Sequence, residues 1–488
     1  MSLRAFLICL ALLPAPLLAQ DGQVVTKQYD DGGIYEGTFL NGKQHGQGSY
    51  RLPNGYEYEG EWFEGEIRGQ GIARFPNGST YEGQFAAGKP EGLGKITFAD
   101  GGTYEGEWVD GKITGEGIAR YANGVVYDGQ FRNAMHHGRG RMEAPSGYVY
   151  DGDWINGVKD GTGVITYPDG AIYTGQLAKG EREGEGKLEM PDGLIYEGTW
   201  AAGQIEGEGT LTQPNGDIYR GDLVAGRREG TGSVTYANGD TYEGAFQDDK
   251  RHGQGTFRGS DGYTYVGSWV AGQIEGQGEV TYPDGSIYRG SFRGGLADGT
   301  GKITYPDGST YDGQWANGVI EGAGIATYAN GLVYEGEFRN AKNHGQGKMT
   351  YADGYTYDGQ WADGQRNGEG TATYADGTIY VGQFLNGQRH GSGRIEMPGG
   401  FIYEGAWQEG EISGEGVATY ANGDVYRGMF RNGRRQGEGT MQYASGEEAT
   451  GDWQDGALVS RSGAAPATGS VGTEEADGEA GTESETAQ

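Results

Sequence analysis

The chain has 488 residues, of which 101 are glycine and 34 are tyrosine. Its 69 acidic residues outnumber its 37 basic residues, and the net charge of −32 argues against a nucleic-acid-binding protein and against simple adsorption to an anionic membrane. The abundance of glycine argues against a helical protein, because glycine costs about 1 kcal/mol relative to alanine inside a helix.

Residues 1–19 have the pattern of a secretory signal peptide. One early basic residue, Arg4, precedes an apolar segment that ends at the small residue Ala19. A membrane anchor is disfavoured, because two prolines interrupt the segment and it is shorter than the roughly 20 residues that a membrane span needs. We therefore expect export to the periplasm or the extracellular space. The single cysteine, Cys9, lies in this segment, so the mature chain would contain no disulfide.

Residues 20–459 form an array of 23-residue repeats, which is the signature of a repeat protein. Each repeat starts at a tyrosine that we number position 0, and a nineteenth repeat begins at Ala449 without its tyrosine. Residues 20–34 are expected to form a degenerate cap. The tyrosines are Tyr35, Tyr58, Tyr81, Tyr104, Tyr127, Tyr150, Tyr173, Tyr196, Tyr219, Tyr242, Tyr265, Tyr288, Tyr311, Tyr334, Tyr357, Tyr380, Tyr403 and Tyr426.

The spacing within each repeat predicts a β-hairpin. Positions 2, 11, 13 and 20 are glycine, position 4 is Phe, Trp or Leu, and positions 15 and 17 are mostly apolar or aromatic. Period-two spacing places positions 0, 2 and 4 on one face of a first strand and positions 11–17 on one face of a second. We expect a loop at positions 5–10 and a turn at positions 18–20. In the predicted register position 4 faces 11, 2 faces 13 and 0 faces 15, so that rings lie over bare glycine backbone.

The motif YEGxW/F, followed by xxGxxxGxG and xY/FxDG, closely resembles the MORN repeat (membrane occupation and recognition nexus) over residues 29–456. The resemblance implies an all-β fold, an elongated, single-layer, twisted antiparallel β-meander built from 23-residue hairpins. It also implies roles as a scaffold, a dimerisation module or a lipid-binding surface, without specifying which.

The array contains two blocks of nine repeats, and the second starts near residue 242. Position 4 alternates between Phe or Leu and Trp in both blocks, and FRNAMHHGRGRM at 131 recurs as FRNAKNHGQGKM at 338. We infer a tandem duplication and expect one continuous sheet. Residues 460–488 contain six acidic and no aromatic residues, which predicts a disordered acidic tail.

Two sets of side chains are candidates for partner contacts. Tryptophans on the aromatic face could form an accessible binding surface, or they could only cover the backbone and one another. Basic residues in the predicted loops could line one edge and bind a polyanion or a lipid head group, or they could be solvated loops that offset neighbouring acids. The candidates are Trp62, Trp108, Trp154, Trp200, Trp269, Trp315, Trp361, Trp407, Arg227, Arg228, Arg251, Arg389, Arg434 and Arg435.

The sequence gives no sign of an enzyme or of a cofactor or metal site. The six histidines are predicted to lie in hairpin loops, and all but the neighbours His136 and His137 are whole repeats apart. The glycine patterns lie in strands with no helix after them, so they do not form a nucleotide-binding loop. The Asp-Gly turns lack the spacing of a calcium loop.

These observations predict an exported, non-catalytic scaffold whose repeated aromatic and loop surfaces bind protein partners in the cell envelope. Many weak contacts along a regular array would add up to avidity. Self-association through the sheet ends or the aromatic face is a further expectation, and nucleic acid is not expected as a partner. The alternative is a surface that binds envelope lipid or glycan.

Overall fold

The computed structural model describes residues 24–462, which divide into two compact halves between Ala237 and Asn238. Every described element is a β-strand, because the period-two pattern continues from repeat to repeat without a helical segment. The predicted signal peptide lies outside the described residues, as does the predicted tail beyond Ser462. The last strand ends at Arg461, so Ser460 and Arg461 at the start of the predicted tail are strand.

The first half consists of β1–β19, and each strand pairs antiparallel with the next, as expected for a meander. The strands are β1 Val25–Gln28, β2 Ile34–Leu40, β3 Lys43–Arg51, β4 Glu57–Phe63, β5 Glu66–Arg74, β6 Thr80–Ala86, β7 Lys89–Thr97, β8 Thr103–Val109, β9 Lys112–Arg120, β10 Val126–Arg132, β11 Met135–Glu143, β12 Val149–Ile155, β13 Val158–Thr166, β14 Ile172–Ala178, β15 Glu181–Glu189, β16 Ile195–Ala201, β17 Gln204–Thr212, β18 Ile218–Val224 and β19 Arg227–Thr235.

The second half consists of β20–β39 and has the same antiparallel order. The strands are β20 Thr241–Gln247, β21 Lys250–Arg258, β22 Thr264–Val270, β23 Gln273–Thr281, β24 Ile287–Arg293, β25 Leu296–Thr304, β26 Thr310–Ala316, β27 Val319–Thr327, β28 Val333–Arg339, β29 Lys342–Thr350, β30 Thr356–Ala362, β31 Gln365–Thr373, β32 Ile379–Leu385, β33 Gln388–Glu396, β34 Ile402–Gln408, β35 Glu411–Thr419, β36 Val425–Arg431, β37 Arg434–Gln442, β38 Glu448–Gln454 and β39 Ala457–Arg461.

The connection inside each hairpin is shorter than the predicted loop at positions 5–10. In the repeat that starts at Tyr81, only Ala87 and Gly88 separate β6 from β7. Both residues have positive φ, +49° and +76°, which is the backbone of the two-residue turns that match the twist of paired strands. Positions 8–10 are therefore strand, and the side chains predicted to project from loops lie on the sheet instead.

The predicted register is correct at two positions and wrong at the third. Across the hairpin Tyr81 pairs with Ile96 and Gly83 pairs with Gly94, but a bulge then shifts the pairing of Phe85 to position 9. Position 11 instead faces position 4 of the following repeat. The bulge adds residues to one strand only, so simple counting from the turn could not find it.

The turn at positions 18–20 has the predicted residues and a defined hydrogen-bond pattern. In the same repeat, the Phe98 amide donates to the carbonyl of Gly102 at 2.8 Å, and the Gly101 amide donates to the carbonyl of Phe98 at 3.0 Å. The carboxylate of Asp100 accepts a hydrogen bond from the Gly102 amide at 2.9 Å. Asp or Asn at position 19 therefore closes the turn, which is the ordinary role of these residues.

The core of each half lies on one face of the sheet and is built from position-0 tyrosines over glycine. A Cβ atom on Gly94 would lie 2.5 Å from Cε2 of Tyr81, so only glycine allows the ring to lie on the strand. The hydroxyl of Tyr81 donates to the backbone carbonyl of Gln84 at 2.9 Å, and its side chain is completely buried. Burial raises the pKa of Tyr81 to about 12. The expected reason for the glycines is confirmed by this geometry.

Candidate interaction surface

The side chains at positions 0 and 4, which are rings except for Leu177, Leu223 and Ala449, form a series along each half that we call the inner row. Tyr81 contacts Phe85 of its own repeat at 5.0 Å between ring centroids and Trp108 of the next repeat at 5.1 Å, with both pairs edge to face. Such pairs contribute about 0.5–1.5 kcal/mol beyond the area that they bury. The inner row therefore joins neighbouring repeats and supplies the core that a single sheet layer otherwise lacks.

The candidate tryptophans belong to the inner row, and all except Trp315 are buried. Their indole N–H groups donate to the position-13 carbonyl of the preceding repeat, as in Trp361 to Gly347 at 2.9 Å. Each ring covers backbone and is held by it, which explains the burial. Trp315 is partly exposed, whereas the other candidates are buried: Trp62, Trp108, Trp154, Trp200, Trp269, Trp361 and Trp407.

Position-9 arginines lie over the inner row instead of projecting into solvent. The guanidinium carbon of Arg251 is 4.1 Å from the ring centre of Trp269, and that of Arg389 is 4.6 Å from the ring centre of Trp407. Arg435 lies 4.7 Å from Trp453 and also donates to the Gly456 carbonyl at 2.6 Å. Sequence analysis missed Arg182, which has the same arrangement on Trp200.

Basic candidates that are adjacent in sequence, such as Arg227 and Arg228, lie on opposite faces of the sheet, because neighbours along a strand point to opposite faces. Arg228 follows the position-9 pattern, with its guanidinium carbon 5.9 Å from the ring centre of Tyr219. Arg227 and Arg434, at position 8, are exposed. The structure therefore does not bring the basic candidates together into one cationic edge.

Position 10 fixes the turn of the following repeat, a role that sequence analysis did not find. The Glu91 carboxylate accepts a hydrogen bond from the Asp110 amide at 2.8 Å, and Glu321 accepts one from the Asn340 amide at 2.9 Å. In another repeat, Nδ1 of His252 is 3.4 Å from the equivalent amide. Acceptors at position 10 therefore satisfy the first amide of the next left-handed turn.

All six histidines lie on strands, which corrects their predicted loop positions. His136 stacks on Tyr127 with 3.7 Å between ring centroids, and its Nε2 is 2.8 Å from the hydroxyl of Tyr121. Burial lowers the pKa of His136 to about 4. Within residues 24–462, no group of three or more His, Cys, Asp or Glu side chains is arranged to hold a metal ion.

A second series of rings follows the turn edge of the aromatic face, at positions 17 and 21. We call it the edge row. Where position 17 is not aromatic, position 21 often is, as in Gly259 with Tyr263 and Met397 with Phe401. Position-21 rings pack on the next position-17 ring, and Tyr355 lies 5.0 Å from Tyr374. The edge row can therefore continue from one repeat to the next when its ring changes between positions 17 and 21.

Several position-17 rings of the edge row are more exposed than the inner row. Tyr305, Tyr328 and Tyr351 are 37%, 40% and 38% exposed, whereas the position-0 tyrosines have almost no exposure. No hydrogen bond of the described residues involves the hydroxyls of Tyr282, Tyr305 or Tyr328. These rings and hydroxyls are consequently available for contacts that the inner row cannot make.

An open groove of about 630 Å³ lies in the first half. Its lining includes Tyr56 and Phe75 of the edge row and Trp62 and Phe85 of the inner row. Aromatic grooves of this kind are typical of peptide and small-molecule binding surfaces.

Eighteen stretches of the chain match the MORN repeat family. They are residues 35–55, 58–80, 81–103, 104–126, 127–147, 150–172, 173–195, 196–218, 219–241, 242–262, 265–287, 288–310, 311–333, 334–354, 357–379, 380–400, 403–425 and 426–448. No curated protein matches the chain. No helix among the described residues is long and apolar enough to span a membrane.

Three solved structures have weak similarity to this chain. The TCP domain of SAS-4 (dCPAP) from Drosophila melanogaster, solved with a proline-rich motif of Ana2 (dSTIL), is 15% identical with a TM-score of 0.20, covering 43% of this chain and 99% of that one. The TCP10 domain of Danio rerio CPAP is 15% identical with a TM-score of 0.18 and coverages of 45% and 93%. An inactive virginiamycin B lyase from Staphylococcus aureus is 12% identical with a TM-score of 0.11 and coverages of 71% and 98%. These scores are too low to carry an argument.

Proposed function

Because this chain belongs to the MORN-repeat family, we propose that it is a non-catalytic scaffold that binds protein partners through its edge row. MORN repeats are generally non-enzymatic and commonly mediate protein or lipid interactions. The partners would be met in the cell envelope, after export directed by residues 1–19.

The observation that carries this proposal is the repeated exposure of edge-row rings. Tyrosine is favoured at protein interfaces, because its ring is apolar and its hydroxyl can form hydrogen bonds. Tyr305, Tyr328 and Tyr351 occupy the same position in three consecutive repeats. A partner that contacts several repeats gains avidity, since each further contact forms at high effective concentration.

The contacts of the position-9 arginines make binding of lipid head groups a weaker proposal than binding of protein partners. Arg251, Arg389 and Arg435 contact inner-row rings, so binding an anionic head group would require them to leave these contacts. The net charge of −32 would also repel an anionic membrane surface.

We would test the proposal by capture from an envelope extract of the source organism, with bound protein, lipid and glycan all measured. The test variant carries Tyr305→Ala, Tyr328→Ala and Tyr351→Ala, which we call the edge variant. Its matched control carries Val266→Ala, Ile325→Ala and Val381→Ala, three exposed residues on the opposite face of the same half.

We expect a dominant protein to remain bound to the wild type and to the control after detergent, and at least tenfold less on the edge variant. Recovery of lipid or glycan without stoichiometric protein would contradict the proposal. Equal capture of the same protein by all three chains would also contradict it, because the edge row would then not be the binding surface.

A further inference from the structure

We propose that the edge row of the second half binds a basic, proline-rich peptide in the polyproline II conformation. The peptide would run across the strands along the tyrosine ladder, which we define as Tyr282, Tyr305, Tyr328, Tyr351 and Tyr374. This inference rests on the proposed scaffold function and identifies the chemistry of its partner.

The spacing of the ladder residues matches the length of one turn of a polyproline II helix. Each repeat contributes two strands, so ladder residues recur about every 9.6 Å across the sheet, given strand spacings of about 4.8 Å. A polyproline II helix has three residues per turn and rises 3.1 Å per residue, or about 9.3 Å per turn. One peptide turn therefore corresponds to one repeat, and a ligand of about 12 residues would span the four intervals of the ladder.

The ladder tyrosines offer exposed rings and hydroxyl donors, which suit a proline-rich ligand. Proline-rich segments bind aromatic-lined surfaces, and their backbone carbonyls are free because this helix has no internal hydrogen bonds. Tyr305 and Tyr328 offer rings that are 37% and 40% exposed. Their hydroxyls make no hydrogen bond among the described residues and could donate to those carbonyls. Inner-row hydroxyls cannot do so, since each already donates to a backbone carbonyl, as in Tyr311 to Gln314.

The acidic residues beside the ladder are complementary in charge to a basic ligand. Position 19 beside the ladder is acidic in four of five repeats, as Asp284, Asp307, Asp353 and Asp376, and all four side chains are exposed. In the described part of the chain, none of these carboxylates forms an ion pair with a basic side chain. A row of carboxylates at the period of the rings favours a ligand with one basic residue per turn over a neutral glycan, which would otherwise stack on the same tyrosines.

The probe is a peptide of four Arg-Pro-Pro triplets, titrated into the purified chain by isothermal titration calorimetry. We expect binding to the wild type and to the matched control with Val266→Ala, Ile325→Ala and Val381→Ala, and an affinity at least tenfold lower for the edge variant. A second variant, Tyr305→Phe with Tyr328→Phe, keeps the rings and removes the hydroxyls. We expect it to lose roughly three- to tenfold in affinity, which keeps the test decisive if the alanine variant is unstable.

Two further peptides separate conformation from charge. A peptide of four Arg-Gly-Ser triplets carries the same charge on a flexible backbone, and four Glu-Pro-Pro triplets keep the conformation and reverse the charge. Both should bind at least tenfold more weakly than Arg-Pro-Pro. Equal binding of either one, or equal binding of Arg-Pro-Pro to wild type and edge variant, would overturn the proposal.

The outcomes distinguish this inference from the scaffold function. If Arg-Pro-Pro does not bind but protein capture still depends on the edge row, the scaffold stands and the ligand class is wrong. If a chito-oligosaccharide binds and is lost in the edge variant while the peptide does not bind, a glycan surface replaces both proposals.

Discussion

The two halves have the same inner row but different edge rows. Position 4 follows the same order of Phe or Leu and Trp in both halves, and position 0 is tyrosine in every complete repeat. The edge row of the first half lacks a ring in two consecutive repeats, where Gln213 and Leu194 stand. In the second half the equivalent residues are Tyr420 and Phe401, and the row is unbroken.

This difference shows that the sheet requires the inner-row residues but tolerates changes in the edge row. The inner-row tyrosine is tied to glycine by direct contact, so changing either residue disturbs the strand. The edge row has no such constraint, because β15 pairs with β16 and β17 pairs with β18 without a register shift although both connecting turns lack a ring. Variation in the edge row is therefore the place to look for differences in binding between the halves.

The largest expected effect comes from removing single rings from the inner row, compared with removing one ring from the edge row. Tyr104→Ala in the first half and Tyr311→Ala in the second should each lower local stability by about 3–5 kcal/mol, the usual cost of removing a buried aromatic ring. Tyr328→Ala in the edge row should cost about 1 kcal/mol, since part of its surface is already in water. Hydrogen exchange of strand amides would measure each value locally. Similar losses at Tyr311 and Tyr328 would show that the two rows do not differ.

The glycine contacts predict the next largest effect. Gly94→Ala and its equivalent Gly301→Ala should each cost about 2–3 kcal/mol, because the new methyl group would overlap a position-0 ring. The matched controls are Gly88→Ala and Gly295→Ala, where nothing lies within 4 Å of the added atom. These should cost about 1 kcal/mol, from positive φ alone. The same exchange experiment compares all four, and equal losses would remove the packing explanation.

Acid should weaken the first half at a point where the second is insensitive. The folded pKa of His136 is lowered to about 4, whereas an unfolded histidine titrates near 6.5. As pH falls from about 6.5 to 4, the unfolded chain takes up a proton that the folded chain does not, so stability decreases. Allowing for partial exposure, we expect a loss of about 1 kcal/mol. The equivalent residue in the second half is Asn343.

The variant His136→Asn isolates this effect from the titration of carboxylates. Exchange of β10–β12 amides should depend less on pH in the variant than in the wild type, while β28–β30 should be unchanged. An identical pH profile in wild type and variant would show that His136 titrates normally.

The smallest expected effect concerns the cation on Trp269. Arg251 lies over this ring, whereas the equivalent residue in the first half is Gln44. Arg251→Gln should therefore cost about 0.5–1 kcal/mol, a typical value for a cation–π contact. Arg251→Lys should recover part of it. Exchange of β21–β22 amides would detect the change, and no loss would mean that the arginine only covers the surface.

Much of this architecture could be predicted from the repeat. The glycines at positions 2 and 13 and the tyrosine at position 0 specified the strands, their faces and two of the three pairings. The bulge could not be predicted, because it adds residues to one strand only and counting from the turn does not reveal it. Without the bulge, positions 8–10 were predicted to lie in a loop. The predicted surroundings of Arg251 and His136 were therefore wrong.

The candidate surface was harder to predict than the fold. Tryptophan was chosen because it is common at interfaces, but a single layer uses its largest rings to cover the backbone. The edge row has a sequence signal, the exchange of an aromatic residue between positions 17 and 21, as in Met397 and Phe401. That signal has meaning only once both positions are seen to lie on one edge. The export signal and the disordered tail remain predictions.

Two kinds of hydrogen bond between repeats run in one direction along the chain. The turn amide and the indole N–H of a repeat are both donated to the preceding repeat, as Asp110 donates to Glu91 and Trp108 to Gly94. A hairpin that is synthesised later therefore meets these acceptors already in place. Loss of repeats from the amino-terminal side leaves these donors to water, and loss from the carboxyl-terminal side leaves these acceptors to water. Synthesis from the amino terminus therefore adds each hairpin to a repeat that already presents its acceptors.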